Sequence, residues 1–456
     1  MFRRALLTLS MVLVVCNLAG AEGVPRSHDR LDAVLAERAQ APNGTSRVII
    51  QTRDGTAADP LIGDCHGRLG RRIASISARV AEVPDHCLSQ LASHPNVIAV
   101  SADRQVRGAL QGTIRATVGA AWVAEHLGFD GTGIGVAIVD SGVATWHDDL
   151  GNNRVVHFAD FVSRQAVPYD DYGHGTHVAG IIAGNGQNAG GSRRGIAPGA
   201  HLVVLKALDS AGDGNVSRVI AAIDYAVRNR AAYNIRILNL SVSAGVYESY
   251  NTDPLARAAR RAVDAGIIVI TAAGNLGRDA AGAIQYGGIT APGNAPWVLT
   301  VGASNDKGTV DRADDTIAAF SSRGPGLIDG SLKPDLVAPG VGIESLGDTT
   351  SFLYQSRPSA RRWGAGRSGQ EPYMTLSGTS MAAPIVAGTV ALMLHANPTL
   401  SPESVKTILR RTAESNSRYD QFTQGAGFLN SRAAVELARE LAGDATPEPV
   451  EPETVQ

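Results

Sequence analysis

Five short, predominantly apolar runs limit what this 456-residue chain can fold into: residues 134–139, 201–208, 235–242, 267–273 and 297–301. Each is too short for a helix of ordinary length, and none alternates polar with apolar along its whole length, so each predicts a strand buried on both faces. Helical spacing fills the intervals. Val178, Ile181 and Ile182 share a face within 174–184, and Val219, Ile220, Ile223 and Val227 do so within 216–228. Residues 255–265 form a further helical stretch that stops at Gly266, and 381–395 is an apolar helix. A last helix over 402–411 has Ser401 as its N-cap and Pro402 at its first position. Two-sided strands alternating with helices predict an α/β fold, a doubly wound and mostly parallel sheet covered on both sides. Sites in such sheets form outside the carboxyl ends of the strands. The 51 glycines have no triplet period and indicate many tight turns and close backbone contacts.

The N-terminus has the layout of a secretory signal peptide over residues 1–21. Arg3 and Arg4 precede an apolar run over 5–15, and Ala19-Gly20-Ala21 supplies a small-residue cleavage site. Cys16 raises a lipoprotein alternative, which bulky Val15 before it fits poorly. The expected location is therefore secreted or periplasmic. Apart from the leader no apolar stretch of 18 residues is expected, so no stable membrane association is expected either. Residues 22–110 form a separate region with a core over about 46–106. Residues 47–51 and 96–100 predict strands, with helix-compatible stretches around 71–80 and 86–93, which makes a small α+β unit. It holds Cys65 and Cys87, the two cysteines left after leader removal. In an exported protein they are candidates for a disulfide, the alternative being two free buried thiols. Residues 443–456, with Asp444, Glu448, Glu451 and Glu453 against no base and with three prolines, predict an acidic disordered tail.

Three segments carry chemistry. Gly135-Val136-Ala137-Ile138-Val139-Asp140-Ser141-Gly142 delivers a carboxylate at a strand end. Gly173-His174-Gly175-Thr176-His177-Val178-Ala179-Gly180 sets a histidine at a helix start. Gly378-Thr379-Ser380-Met381-Ala382-Ala383-Pro384 sets a serine at the start of the longest helix. Taken singly, these residues fit a turn, a structural histidine and an N-cap. Together, in the order Asp, His, Ser and each with its flanking sequence, they resemble the subtilase family of serine proteases, from about residue 116 to 438. The order differs from that of α/β-hydrolases, whose serine comes first in G-x-S-x-G.

The resemblance implies a subtilisin-like peptidase domain over 111–442. It assigns Ser380 as nucleophile, His174 as its base and then acid, and Asp140 as the group that orients and stabilises the imidazole. Asn275, in Ala272-Ala273-Gly274-Asn275, matches the family's oxyanion donor, with the Ser380 N–H as the second donor. Ser241, Val242, Ser243 and Gly274 match substrate-binding positions, the first three along an edge strand that pairs with peptide. Where the family continues with two glycines, this chain has Ser243-Ala244-Gly245, whose extra Cβ atoms narrow the pocket wall. Segments 319–324, 333–340 and 425–430 also resemble family sequence and are assigned to structure. His177 shares a helical face with His174 and is assigned to structure, the alternative being a His-x-x-His zinc pair without an evident third ligand.

The resemblance extends to the N-terminal unit. It implies a ferredoxin-like propeptide that acts as an intramolecular inhibitor until cut near residues 107–112, the alternative being a permanent accessory domain. No cofactor is required for the chemistry. Many family members hold calcium in the loop corresponding to 185–195, so a structural calcium is considered, with Asn185, Gln187, Asn188 and Asp149 as the local oxygen donors. The loop 347–372 carries Arg357, Arg361, Arg362 and Arg367 against Asp348 and Glu371 and is either a solvated loop or a rim favouring acidic substrates. A net charge of −2 removes the electrostatic case for nucleic acid. The expected partners are peptide or protein substrates, and the expected state is a monomer. A transpeptidase using the same residues and a non-catalytic binding protein on the same scaffold are the competing functions.

Overall fold

The computed structural model describes residues 30–53, 58–103, 113–364 and 372–443, and the chain divides into two compact units, Met1–Gly108 and Ala109–Gln456. The leader, the segment expected to be cut, Arg367, Glu371 and residues 444–456 of the acidic tail lie outside the described residues.

The first unit is one antiparallel sheet in the order Arg68–Ile73, Ala78–Pro84, Thr45–Thr52, Val97–Ala102. Helices Ala58–Asp64 and Leu88–Ser93 connect its first to second and third to fourth strands, which gives the βαββαβ order of a ferredoxin-like unit. Val48, Ile50, Ile62, Leu88, Leu91 and Val97 fill its core. The stretch expected to be helical around 71–80 is instead a hairpin. Ser77 takes a φ of 50°, a left-handed conformation that interrupts any helix, and the returning strand places Ala81 and Val83 in the core. Cys65 and Cys87 are buried free thiols, not a disulfide, with the Cys87 Sγ 4.0 Å from the Cys65 carbonyl oxygen. Burial, then the neighbouring Cys87, pushes the Cys65 thiol up to about 12.

The second unit is built on an eight-stranded sheet. Its order is Thr316–Ile317, Leu299–Asn305, Ile268–Ala272, Ile235–Leu240, Gly135–Asp140, His201–Lys206, Val155–Asp160, and Leu336–Pro339 also pairs with Leu299–Asn305. All pairings are parallel except that of the two-residue strand Thr316–Ile317. The five apolar runs supply five of these strands, and every residue of Gly135–Asp140 and Ile268–Ala272 is buried. The sequence reading missed Val155–Asp160, an edge strand whose residues are only partly buried. It also missed short Leu336–Pro339 and a small sheet of Ile343–Leu346, Tyr373–Leu376 and Arg361–Arg362. Among its described residues the loop 347–372 also holds a helix over Phe352–Ser356.

Helix Thr379–Ala396 lies in the core, packed on helices His174–Ala183 and Ser431–Gly443 and on strands Ile268–Ala272 and Leu299–Asn305. Contrary to expectation, it is long and apolar enough to cross a membrane, with a mean hydropathy of 1.4, but 83% of it is buried inside this fold. Each of its buried aliphatic side chains, Ile385, Val386, Leu392 and Leu394 among them, contributes about 1.5–3 kcal/mol.

Three strand ends converge. Asp140 closes Gly135–Asp140, Ser241 follows Ile235–Leu240, and Asn275 follows Ile268–Ala272 by three residues. Two glycines permit the crowding there. Gly142 has a φ of +124°, and a Cβ on it would overlap the Tyr169 carbonyl oxygen, while a Cβ on Gly175 would overlap the Gly142 carbonyl oxygen. Gly142→Ala, made in a Ser380→Ala background to suppress self-digestion, is expected to lose about 3 kcal/mol or more of stability, read by urea denaturation. A loss below 1 kcal/mol would show that the loop has room to relax.

Candidate active site

The Asp140 carboxylate is fully buried at its strand end and accepts from the Ser141 N–H at 2.8 Å. His174 opens the helix His174–Ala183 and places its Nδ1 2.8 and 3.0 Å from the two Asp140 oxygens. A carboxylate only accepts, so Nδ1 carries the proton and Nε2 of the neutral ring is left as a base. Burial pulls the His174 imidazole down, but the Asp140 charge and its hydrogen bond outweigh it and hold His174 above its ordinary value. Arg357 opposes this in part.

A second carboxylate fixes the pair. Asp170 is buried and accepts from Ser141 Oγ (2.8 Å), Gly173 N (2.7 Å), Thr176 N (2.7 Å) and Thr176 Oγ1 (2.6 Å). Ser141 Oγ in turn accepts from Gly175 N at 2.9 Å. Strand exit and helix start are thereby tied through one side chain. Burial pushes the Asp170 carboxyl up, against the pull of its four donors. Buried Lys206 adds a tie, donating to the Ser141 carbonyl at 2.5 Å and to Asp171 Oδ1 at 2.6 Å. His177 points its Nε2 at the Ile343 and Met374 carbonyls, both at 3.1 Å, so Nε2 carries its proton. Burial and then nearby His174 hold its pKa at about 3, which keeps it a neutral strut between the helix and two strands.

The serine is positioned by a proline. Pro384 has no N–H to give the carbonyl four residues before it, so the Ser380 carbonyl lacks its helical partner. Ser241 Oγ donates to that carbonyl at 3.0 Å and itself accepts from Asn239 Nδ2 at 2.9 Å. The Ser380 hydroxyl rests on the Ser241 carbonyl oxygen at 3.2 Å, and a rotation about χ1 turns it away. On the other side Asn275 Oδ1 accepts from Thr379 N (3.0 Å) and Thr379 Oγ1 (3.1 Å), and Thr379 Oγ1 accepts from Gly274 N (3.2 Å). With Oδ1 so occupied, the Asn275 amide nitrogen is the free end, near Gly378.

His174, Asn275 and Ser380 line one cleft of about 440 Å³. Ser241, Val242, Ser243 and Ala244 form part of its wall. Gly274 lies buried behind the wall, where its φ of +103° turns the chain and its N–H meets Thr379.

A model of the subtilase family matches residues 131–427. The chain belongs to the subtilase family. It is 36% identical over 405 residues to the serine protease AprX of Bacillus subtilis (strain 168), covering 85% of this chain and 87% of that one. It is 32% identical over 311 residues to subtilisin Savinase of Lederbergia lenta, covering 68% and 94%. The crystal structure of a cold adapted subtilisin-like serine proteinase matches with a TM-score of 0.50 at 30% identity, over 66% of this chain and 90% of that one. This subtilase is a serine endopeptidase with the doubly wound fold of its family.

Two of the residues considered for calcium, Asp149 and Asn185, already use their side-chain oxygens within the protein. Asp149 is buried, and its Oδ1 accepts from Asn188 N at 2.7 Å while its Oδ2 accepts from the Tyr373 hydroxyl at 2.7 Å. Asn185 Oδ1 accepts from Gln187 N at 2.7 Å. Arg193 lies 4.2 Å over the Tyr373 ring and pairs with Glu344 at 3.1 Å. These three oxygens accept protein hydrogens, and a guanidinium stands near the Asp149 carboxylate. Among the described residues no group of three His, Cys, Asp or Glu is arranged to hold a metal.

Thr379, Asn239, Pro384 and Asp170 escaped the sequence reading as site residues. Pro384 and Thr379 lie within the serine motif, where the missing N–H and the flanking hydroxyl were the available signals. Thr379→Val removes one of two bonds on Asn275 Oδ1 and leaves the Gly274 N–H unpaired. It is expected to lower kcat about tenfold with KM within about twofold, measured on a chromogenic peptide.

Proposed function

We propose that this serine endopeptidase is exported, matures by cutting itself, and hydrolyses peptide bonds through Ser380, His174 and Asp140. The observation that carries the reading is the His174 ring held on both Asp140 oxygens at the mouth of the cleft that Ser380 and Asn275 also line. A peptide laid along Ser241–Val242–Ser243 brings its carbonyl carbon to Ser380 Oγ. The hydroxyl turns from the Ser241 carbonyl to His174 Nε2 and gives up its proton as its oxygen attacks. The imidazolium is stabilised by Asp140, which stays ionised. The oxyanion takes hydrogen bonds from Asn275 Nδ2 and the Ser380 N–H at the helix start, and a donor of this kind is worth about 10²–10³ in turnover. His174 then protonates the leaving amine, and a water activated by the same ring releases the acyl group from Ser380.

The signal-like leader supports export, and the ferredoxin-like order of the first unit supports a propeptide role for residues 22–110. Intact mass of the purified wild type beside Ser380→Ala tests both activity and maturation. The wild type is expected to lose everything before a bond near residues 107–112, whereas Ser380→Ala keeps it. Equal full-length masses would overturn self-processing. The occupied Asp149 site supports stability without calcium at this locus. Addition of EDTA is expected to shift the melting temperature of Ser380→Ala by less than about 2 °C, and a larger drop reversed by calcium would overturn that part.

A further inference from the structure

Three arginines among the described residues of the 347–372 segment differ in what they do. Arg361 donates to the Tyr354 and Gln355 carbonyls and lies over the Tyr354 ring, and Arg362 donates to two carbonyls and pairs with Glu344. Arg357 makes no side-chain hydrogen bond or ion pair among the described residues, and it lines the cleft that holds His174 and Ser380. Among the described residues it is the one lysine or arginine on that lining.

Its mounting is firm. Arg357 follows helix Phe352–Ser356, whose Phe352 N–H donates to the Asp171 carbonyl at 2.9 Å and whose Leu353 N–H donates to the Tyr172 carbonyl at 3.0 Å. The Phe352 ring stacks on Tyr172 at 6.2 Å. The helix is therefore fastened to the segment that leads into His174, and Arg357 is carried on the His174 flank. Asp213, the one acidic side chain on the lining among the described residues, makes no ion pair with Arg357. Tyr172 packs on Gly212, beside Asp213, and both charges act on its phenol. The lining thus carries one charge of each sign, and the positive one also acts on His174.

An unpaired guanidinium beside a peptide-binding cleft presents five donors in the fork that matches a carboxylate. We propose that Arg357 selects substrates bearing an acidic side chain beside the scissile bond, on the His174 flank rather than in the pocket walled by Ser241–Ala244. The assignment rests on the endopeptidase reading of the same cleft.

The test uses matched peptides with Glu or Gln at each of the two positions on either side of the cut bond, assayed with the full chain after maturation. At one position Glu is expected to exceed Gln in kcat/KM by about three- to tenfold, the range of a partly exposed ion pair, and the ratio falls as salt is raised. Arg357→Gln brings the ratio to about one, Arg357→Lys keeps part of it, and Arg357→Glu favours Lys there instead. The same peptides are titrated onto Ser380→Ala and its Arg357→Gln derivative, which reads selection without turnover. A Glu-over-Gln ratio that stays within twofold of its wild-type value after Arg357→Gln, or that is absent at every position, in turnover and in binding, overturns the proposal. An Arg357-dependent contrast in binding with no hydrolysis by the wild type overturns the endopeptidase reading and leaves Arg357 as the selecting residue.

Discussion

A helix sunk in a protein core cannot hydrate its own ends. Thr379–Ala396 is buried along nearly its whole length, so the backbone groups of its first turn need partners from the protein. The chain answers with Asn275 for the Thr379 N–H and Ser241 for the Ser380 carbonyl exposed by Pro384. Both partners come from the carboxyl ends of neighbouring parallel strands. The same bonds that settle the helix end therefore fix Ser380 between a strand and an amide, and the site is a by-product of how the core closes.

The histidine side follows a related logic. Desolvation disfavours a lone buried charge, and two carboxylates meet at the Gly135–Asp140 strand end. Asp140 is offset by His174, and Asp170 by four donors drawn from the strand exit and the helix start. Removing any donor leaves a charge under-solvated, so the arrangement is held as a unit rather than bond by bond.

Much of this was legible in the chain because the parallel strands are apolar on both faces. Gly135–Asp140 and Ile268–Ala272 stand out as runs, and the catalytic candidates stand at their ends with distinctive neighbours. Val155–Asp160 did not stand out, since none of its residues is fully buried and its sequence shows neither an apolar run nor alternation. The 71–80 hairpin was read as helix because Ser77 gives no sign of the left-handed backbone that turns it. Thr379, Asn239 and Asp170 were missed as site residues for a different reason. Their work is done by side-chain bonds to residues 2 to 105 positions away, and spacing along a sequence does not encode those. The calcium locus looked open because Asn185, Asn188 and Asp149 are oxygen-bearing, while the competitor for Asp149, Tyr373, lies 224 positions further on.

The contacts at Gly142 and Gly175 have an evolutionary corollary. Three backbone segments touch there with no side chain between them: the turn after Asp140, the strand of loop at Tyr169 and the first turn of the histidine helix. No residue larger than glycine enters at either point unless a neighbouring segment moves as well. Lineages can therefore explore the outer loops one substitution at a time, while change at this junction requires concerted replacements, and drift is slowest where the three segments meet.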